Sequence, residues 1–193
     1  FSLEQHGLAK AVYEAAADRW LSYADLRDLV AARVAEFGSS GRALGFLFCK
    51  NDLRSVATYL ASFEVGHAVA LLDDGLVAEA KAALIELYRP EWISTAVDVP
   101  HPDYARVSDA LWRRHSAGTA ALHPDLALLL ATSGSTGSPR FVRLTRGNVD
   151  ANAESISQVL EIGTADCAIM SLPMHYSYGL SVLNTHLLRG ASI

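Results

Sequence analysis

Hydrophobic and polar positions alternate along this chain in blocks whose period switches between that of a helix and that of a buried strand. Residues 8–20 are Ala-rich with good helix formers, which predicts a short helix ending near Asp18 and Arg19. Ser22 is placed to cap a helix over residues 23–37, where Leu26, Leu29, Val30, Val34 and Phe37 follow the i, i+3, i+4 spacing of one buried stripe. Gly38-Ser-Ser-Gly41 stops that helix. Residues 43–49 form an apolar run between turn residues and predict a buried strand. Asn51 or Asp52 then caps a second helix carrying Leu53, Val56, Ala57, Leu60 and Phe63, and Gly66 ends it. Residues 67–72 predict the next strand. Asp73-Asp74-Gly75 turns the chain into a third helix, with Val77, Ala80, Leu84 and Leu87 on one face and Pro90 at its end. Trp92-Ile93 reads as a further short strand.

Strand, helix, strand, helix, strand, with strands apolar on both sides, predicts an α/β fold: a parallel sheet covered by helices. Residues 98–124 break the rhythm. They hold Pro100, Pro102 and Pro124, show little periodicity, and read as a surface connection with one helical turn. Regularity returns with an apolar strand over 126–131, a small-residue loop over 132–139, a second strand over 140–144 ended by Thr145, and a helix over 148–160. A strand over 167–172 and a helix over 178–188 before Gly190 complete the pattern. The expected organisation is a first βα subregion at 1–97, a connecting segment at 98–124, and a third region at 125–193. Pro173-Met-His-Tyr-Ser-Tyr-Gly179 reads at this point as a turn before the helix over 178–188, packed by Tyr176 and Tyr178.

Composition narrows the class. Hydrophobic residues make up 51% and charged residues 19% of 193, which excludes a disordered polypeptide. No stretch approaches the ~20 apolar residues that cross a bilayer, so no membrane span is expected. Sixteen basic against 21 acidic residues give −5, with no basic field for nucleic acid or anionic lipid. Cys49 and Cys167 lie far apart inside apolar runs and predict buried, reduced thiols in a cytoplasmic setting. The chain opens on Phe1 without a signal-peptide layout and closes on what reads as the start of a strand, so a longer protein is expected. The histidines His6, His67, His101, His115, His123 and His186 show no metal-ligand spacing, and no metal ligand is assigned.

The chemistry is concentrated in Thr132-Ser133-Gly134-Ser135-Thr136-Gly137-Ser138-Pro139-Arg140. Two glycines let a backbone approach a ligand closely, and successive N–H groups in turn conformations form a concavity for an anion. The hydroxyls are rotatable donors, and Arg140 adds a planar cationic fork. The string is neither a Walker loop, which needs four residues between its glycines and a Gly-Lys, nor a Gly-x-Ser-x-Gly elbow.

With Val142, Leu144-Thr145 and Asn148, this string resembles the phosphate-binding signature of the adenylate-forming superfamily. That superfamily holds AMP-dependent acyl-CoA synthetases, aryl acid ligases, luciferases and the adenylation domains of nonribosomal peptide synthetases. Residues 20–26, residues 60–69 with Leu72-Asp73, and Leu172-Pro173-Met174-His175-Tyr176-Ser177-Tyr178-Gly179-Leu180 are similar to further landmarks of the same family. The chain departs from the pattern at Arg140 (usually Lys), Phe141 (usually Gly) and Arg146 (usually His).

The resemblance implies the N-terminal part of a large adenylation domain, without the C-terminal lid. It implies an ATP-dependent, Mg²⁺-assisted ligase that joins a carboxylic acid to AMP with loss of pyrophosphate, then passes the acyl group to coenzyme A or a carrier-protein phosphopantetheine. Thr132, Ser133, Gly134, Ser135, Thr136, Gly137 and Arg140 would hold the ATP phosphates, and His175, Tyr176, Tyr178 and Gly179 would line the carboxylate pocket. No catalytic side chain is identified, since the substrate carboxylate is itself the nucleophile. By itself the chain is expected to be inactive. A noncatalytic nucleotide- or anion-binding module on the same fold is the alternative.

Overall fold

The computed structural model describes residues 3–38, 41–99, 101–116, 122–131 and 140–193. Four strands run parallel at the centre: β3 (Leu44–Cys49), β4 (Ala68–Asp73), β5 (Trp92–Ser94) and β8 (Leu126–Ala131). An antiparallel hairpin, β6 (Tyr104–Ser108) and β7 (Leu111–Arg114), extends one side, and β9 (Phe141–Thr145) closes the other. The resulting seven-stranded order is β6-β7-β5-β3-β4-β8-β9. The expected parallel, helix-covered sheet is therefore present, with antiparallel margins.

Period-2 side-chain alternation explains why the central strands are apolar throughout. Leu47, Cys49, Val69, Leu71, Leu128 and Leu130 face one core. That core also receives Val56, Leu60 and Phe63 of α2 (Leu53–Glu64) and Leu180, Leu183 and Leu187 of α5 (Ser177–Arg189). Phe46, Phe48, Ala68, Ala70, Leu72 and Leu129 face a second core under α3 (Ala78–Tyr88). Each large side chain buried this way contributes roughly 1.5–3 kcal/mol relative to exposure. Among the described residues no helix is long and apolar enough to cross a membrane.

The helix starts follow local rules. Ser22 and Asp25 form a reciprocal capping box on α1 (Tyr23–Phe37), and Thr145 and Asn148 do the same on α4 (Arg146–Val159). Asp52, rather than Asn51, caps α2, accepting from the Ser55 amide at 2.7 Å.

Five expectations are corrected. Residues 8–20 are not a helix: Lys10–Glu14 (β1) and Arg19–Ser22 (β2) form a hairpin turned through Asp18, whose φ is +49°. Main-chain bonds from Tyr13 to Ile193 and from Ile193 to Ala11, together with a Tyr13–Trp20 ring contact at 5.3 Å, outweigh alanine's helical preference. Within 98–124 there is no helical turn among the described residues but the β6–β7 hairpin. Tyr104 fixes it with a 2.7 Å bond to the Pro90 carbonyl, and Arg113 by bonds to the carbonyls of Glu36 and Phe37. Residues 167–172 form no strand, only an isolated bridge between Cys167 and Ser192, and Cys167 is exposed rather than buried. On α3 the buried positions are Leu84 and Ile85, while Val77 and Leu87 lie out in solvent. Cys49 matches its expectation, with burial pushing its thiol up to about 12.

Candidate functional site

In an open α/β sheet, ligands sit beyond the carboxyl ends of the parallel strands, where side chains and loop amides converge without blocking the core. Here β3 and β4 end level, with Cys49 opposite Asp73, and β8 runs beside β4 through Leu71 opposite Leu130. Residues 132–139, which hold Thr132, Ser133, Gly134, Ser135, Thr136 and Gly137, lie outside the described residues. The chain is described on both sides of them. It leaves the carboxyl end of β8 at Ala131 and re-enters at Arg140, because Ala131 pairs with Phe141. Arg140 is exposed at this end of the sheet.

The turn after β4 supplies two carboxylates with different tasks. Asp73 accepts from the Gly75 amide at 2.8 Å and closes an Asx turn. Asp74 lies between two lysines, with Lys50 Nζ at 3.1 Å and Lys81 Nζ at 3.4 Å. Burial alone would raise the Asp74 carboxyl, and the two ammonium groups more than offset it, holding the group below the usual carboxylate range. Neither carboxylate caps α3, whose N-cap is Val77 with no side-chain bond. Asp73 locks the turn and Asp74 anchors an ion-pair cluster.

The segment 173–179 arrives at the same end of the sheet. Met174 is fully buried and anchors it. His175 Nδ1 is enclosed and has no hydrogen-bond partner among the described residues, and its ring lies 4.4 Å from that of Tyr176. Burial lowers the His175 pKa, and the Asp73 carboxylate draws it partly back up. The imidazole is therefore neutral at pH 7. Tyr176 and Tyr178 expose 54% and 68% of their surface, so neither is a core residue. Gly179 is buried in the first turn of α5. A Cβ there would stand 2.4 Å from the Pro173 carbonyl oxygen and 2.6 Å from that of Leu172.

The residue that composition and spacing did not single out is Asn51. Its Nδ2 donates to the carbonyls of Met170 at 2.7 Å and Leu172 at 2.9 Å, and its Oδ1 accepts from the Met174 amide at 2.9 Å. The available signal was redundancy. Two adjacent cap candidates preceded α2, and only one was needed.

The His175 burial carries a pH dependence. The folded ring resists protonation, while the unfolded one accepts a proton near its ordinary value of about 6.5. Stability from this ring is complete above that value and is lost as the pH falls through it. Relative to His175→Gln, the wild type is expected to lose stability as the pH falls below about 6.5. Denaturant midpoints measured across that range check this, and parallel curves would contradict it.

The family model for AMP-binding enzymes matches residues 2–193. The chain belongs to that family. Within the adenylate-forming superfamily it corresponds to the N-terminal portion of the fold. It is 31% identical over 145 residues to a sulfoacetate–CoA ligase of Cupriavidus necator, covering 72% of this chain and 28% of that protein. It is 25% identical over 176 residues to a D-alanine–D-alanyl carrier protein ligase of Streptococcus pneumoniae, covering 84% of this chain and 34% of that one. The chain thus spans about a third of the length of these relatives. Its fold is that of O-succinylbenzoate coenzyme A synthetase from Bacillus subtilis, whose structure was solved in complex with AMP. That match has a TM-score of 0.77 and 21% identity over 98% of this chain and 54% of the other.

Two departures from the AMP-binding pattern can now be located. Phe141 packs edge-on against Tyr88 at 5.2 Å, so its bulk is taken up by the α3 side of the sheet. Arg146 pairs with Asp150 at 3.1 Å and lies 4.9 Å over the Phe63 ring. Because Thr145 is paired with Leu126 at the start of β8, Arg146 follows at the opposite end of the sheet from Arg140.

Proposed function

We propose that this chain forms one wall of the active site of an ATP-dependent, AMP-forming ligase that joins a carboxylic acid to a thiol. The observation that carries the reading is convergence. The strand leading into the Thr-Ser-Gly-Ser-Thr-Gly string and the segment bearing His175 are held at the same carboxyl edge of one parallel sheet. Family membership and two relatives that load coenzyme A and a carrier protein support it.

In this reading Thr132, Ser133, Gly134, Ser135, Thr136, Gly137 and Arg140 hold the phosphates of ATP, and His175, Tyr176, Tyr178 and Gly179 border the carboxylate. A carboxylate oxygen attacks the α-phosphorus. The new O–P bond forms as the bond to pyrophosphate breaks, and the mixed anhydride is later opened by a thiol with release of AMP. Such a reaction needs positioning and charge neutralisation rather than a side-chain nucleophile. A neutral His175 suits a group that borders an anionic substrate without ion-pairing to it. Among the described residues no cluster of three or more His, Cys, Asp or Glu forms a metal cage, so no step is assigned to Mg²⁺ through these side chains.

Carboxylate-dependent exchange of pyrophosphate into ATP, measured on a full-length ligase carrying this chain, tests the reading. Arg140→Ala is expected to lower that exchange by about a hundredfold or more, the usual cost of losing a charge-stabilising donor. The 193-residue chain alone is expected to show none. Absence of exchange across a broad panel of acids in the full-length protein would sink the ligase; nucleotide binding without exchange would point to the noncatalytic module.

A further inference from the structure

We infer that Asn51 is a positioning residue whose carboxamide fastens the main chain of residues 170–174 to the end of β3 and so fixes where His175 stands. That His175 borders an active site rests on the ligase reading; the fastening itself does not.

The side chain is committed entirely outside its own neighbourhood. It takes no part in starting α2, because Asp52 does that, and its three hydrogen bonds reach residues 119 to 123 positions away. A carboxamide offers two donors and one oxygen with two lone pairs. Both donors and one lone pair are used here, on alternate carbonyls and the following amide of a single short segment.

The segment has little else to hold it. Within 169–176 its own main-chain bonds are Ser171 to Ile169 and Tyr176 to Pro173. Ile169 is 85% exposed and Leu172 44%, so burial contributes through Met174, with Met170 only partly buried against the same core. The opposite side is set by α5. The Leu172 carbonyl that accepts from Asn51 is also one of the two carbonyls that occupy the space a Cβ on Gly179 would need. Residues 172–173 are thus confined between a carboxamide on one side and a bare Cα on the other, and His175 follows two residues later. Only Asn has this complement at this reach: Asp would set a carboxylate against two carbonyl oxygens, and Ala would leave three polar groups without their partner.

The test uses the 193-residue chain labelled for NMR, with Asn51→Ala, the milder Asn51→Ser, and Asp52→Ala as a control that removes the α2 cap without touching the segment. Two local readouts are the Met174 amide exchange rate and the titration midpoint of the His175 ring, whose facing charged group is Asp73. Leu71, at the centre of β4, reports global opening. In the Asn51 variants Met174 exchange should rise at least about tenfold beyond any rise at Leu71, and the His175 midpoint should return toward its ordinary value near about 6.5. Asp52→Ala should lower overall stability while leaving both local readouts at wild-type values. If Met174 and Leu71 exchange rise together, or the His175 midpoint stays put in both Asn51 variants, the inference is overturned. If Asn51→Ala does not fold, Asn51→Ser decides by the same two readouts. Loss of the ligase reading would show separately, as a wild-type full-length protein without carboxylate-dependent exchange whose NMR outcomes stand unchanged.

Discussion

Gly45→Ala is expected to destabilise the protein by about 3 kcal/mol or more, at the upper end of what overpacking costs. Gly45 is the second residue of β3, level with Trp92 on β5. The Trp92 indole lies across its Cα, so a Cβ would stand 1.9 Å from both Cε2 and Cζ2. The ring cannot swing away cheaply. It is 3% exposed, lies 4.7 Å from the Phe37 ring, and its Nε1 donates to His67 Nδ1 at 3.0 Å. One added methyl therefore forces either the strand spacing or this whole aromatic cluster to move. Thermal and denaturant midpoints measure the effect, with a fall of roughly 10 °C expected for a domain of this size. Pairing Gly45→Ala with Trp92→Leu should recover part of the loss, with a coupling of at least about 1 kcal/mol, since the clash and the indole are removed together. A Gly45→Ala protein that melts within about one degree of wild type would show that the indole does not lie over that Cα.

Gly179→Ala acts at the site rather than in the sheet. The atoms a new Cβ would meet are main-chain atoms of Leu172 and Pro173, which cannot rotate out of the way as a side-chain tip does. The turn at 172–173 must shift, and it carries the Asn51 bond on one side and His175 on the other. A stability loss of about 1–3 kcal/mol is expected from the overpacking itself. In a full-length ligase the larger consequence is geometric, because a misplacement of about 1 Å near the reacting groups costs roughly a hundredfold in rate. Pyrophosphate exchange in the variant, compared with its melting temperature, separates the two effects. Wild-type exchange together with wild-type His175 ring shifts would refute the close packing of Gly179 on this turn.

The elements that could be read in advance are those whose determinants lie within a few residues of one another. Ser22 with Asp25 is a capping pair three positions apart, and α1 starts where Ser22 was expected to cap it. Thr145 with Asn148, read only as a strand end and a helix start, forms the same kind of pair and begins α4 two residues earlier than expected. The buried strands β3, β4 and β8 announce themselves as apolar runs between turn residues. Misreadings fall where distant partners decide. Residues 10–22 carry helical alanines yet form a hairpin, because Ile193 pairs with β1. The apolar run at 167–172 finds no strand beside it beyond one bridge, and so leaves Ile169 in solvent.

The candidate site divides the same way. The hydroxyl-and-glycine string followed by Arg140 is a local signature, and sequence alone pointed to it and to His175, Tyr176, Tyr178 and Gly179 as a second group. The mainly parallel centre of the sheet followed from periodicity, and the resemblance to AMP-binding enzymes from that string. What required the tertiary structure is how the elements flanking the two groups are arranged. Strand pairing carries Arg146 to the far end of the sheet, the Tyr88 ring receives Phe141, and Asn51 draws residues 170–174 to the end of β3. A cap acts over three residues and is written into adjacent letters. A carboxamide that bonds to groups about 120 positions away acquires its role only once the sheet has brought them together.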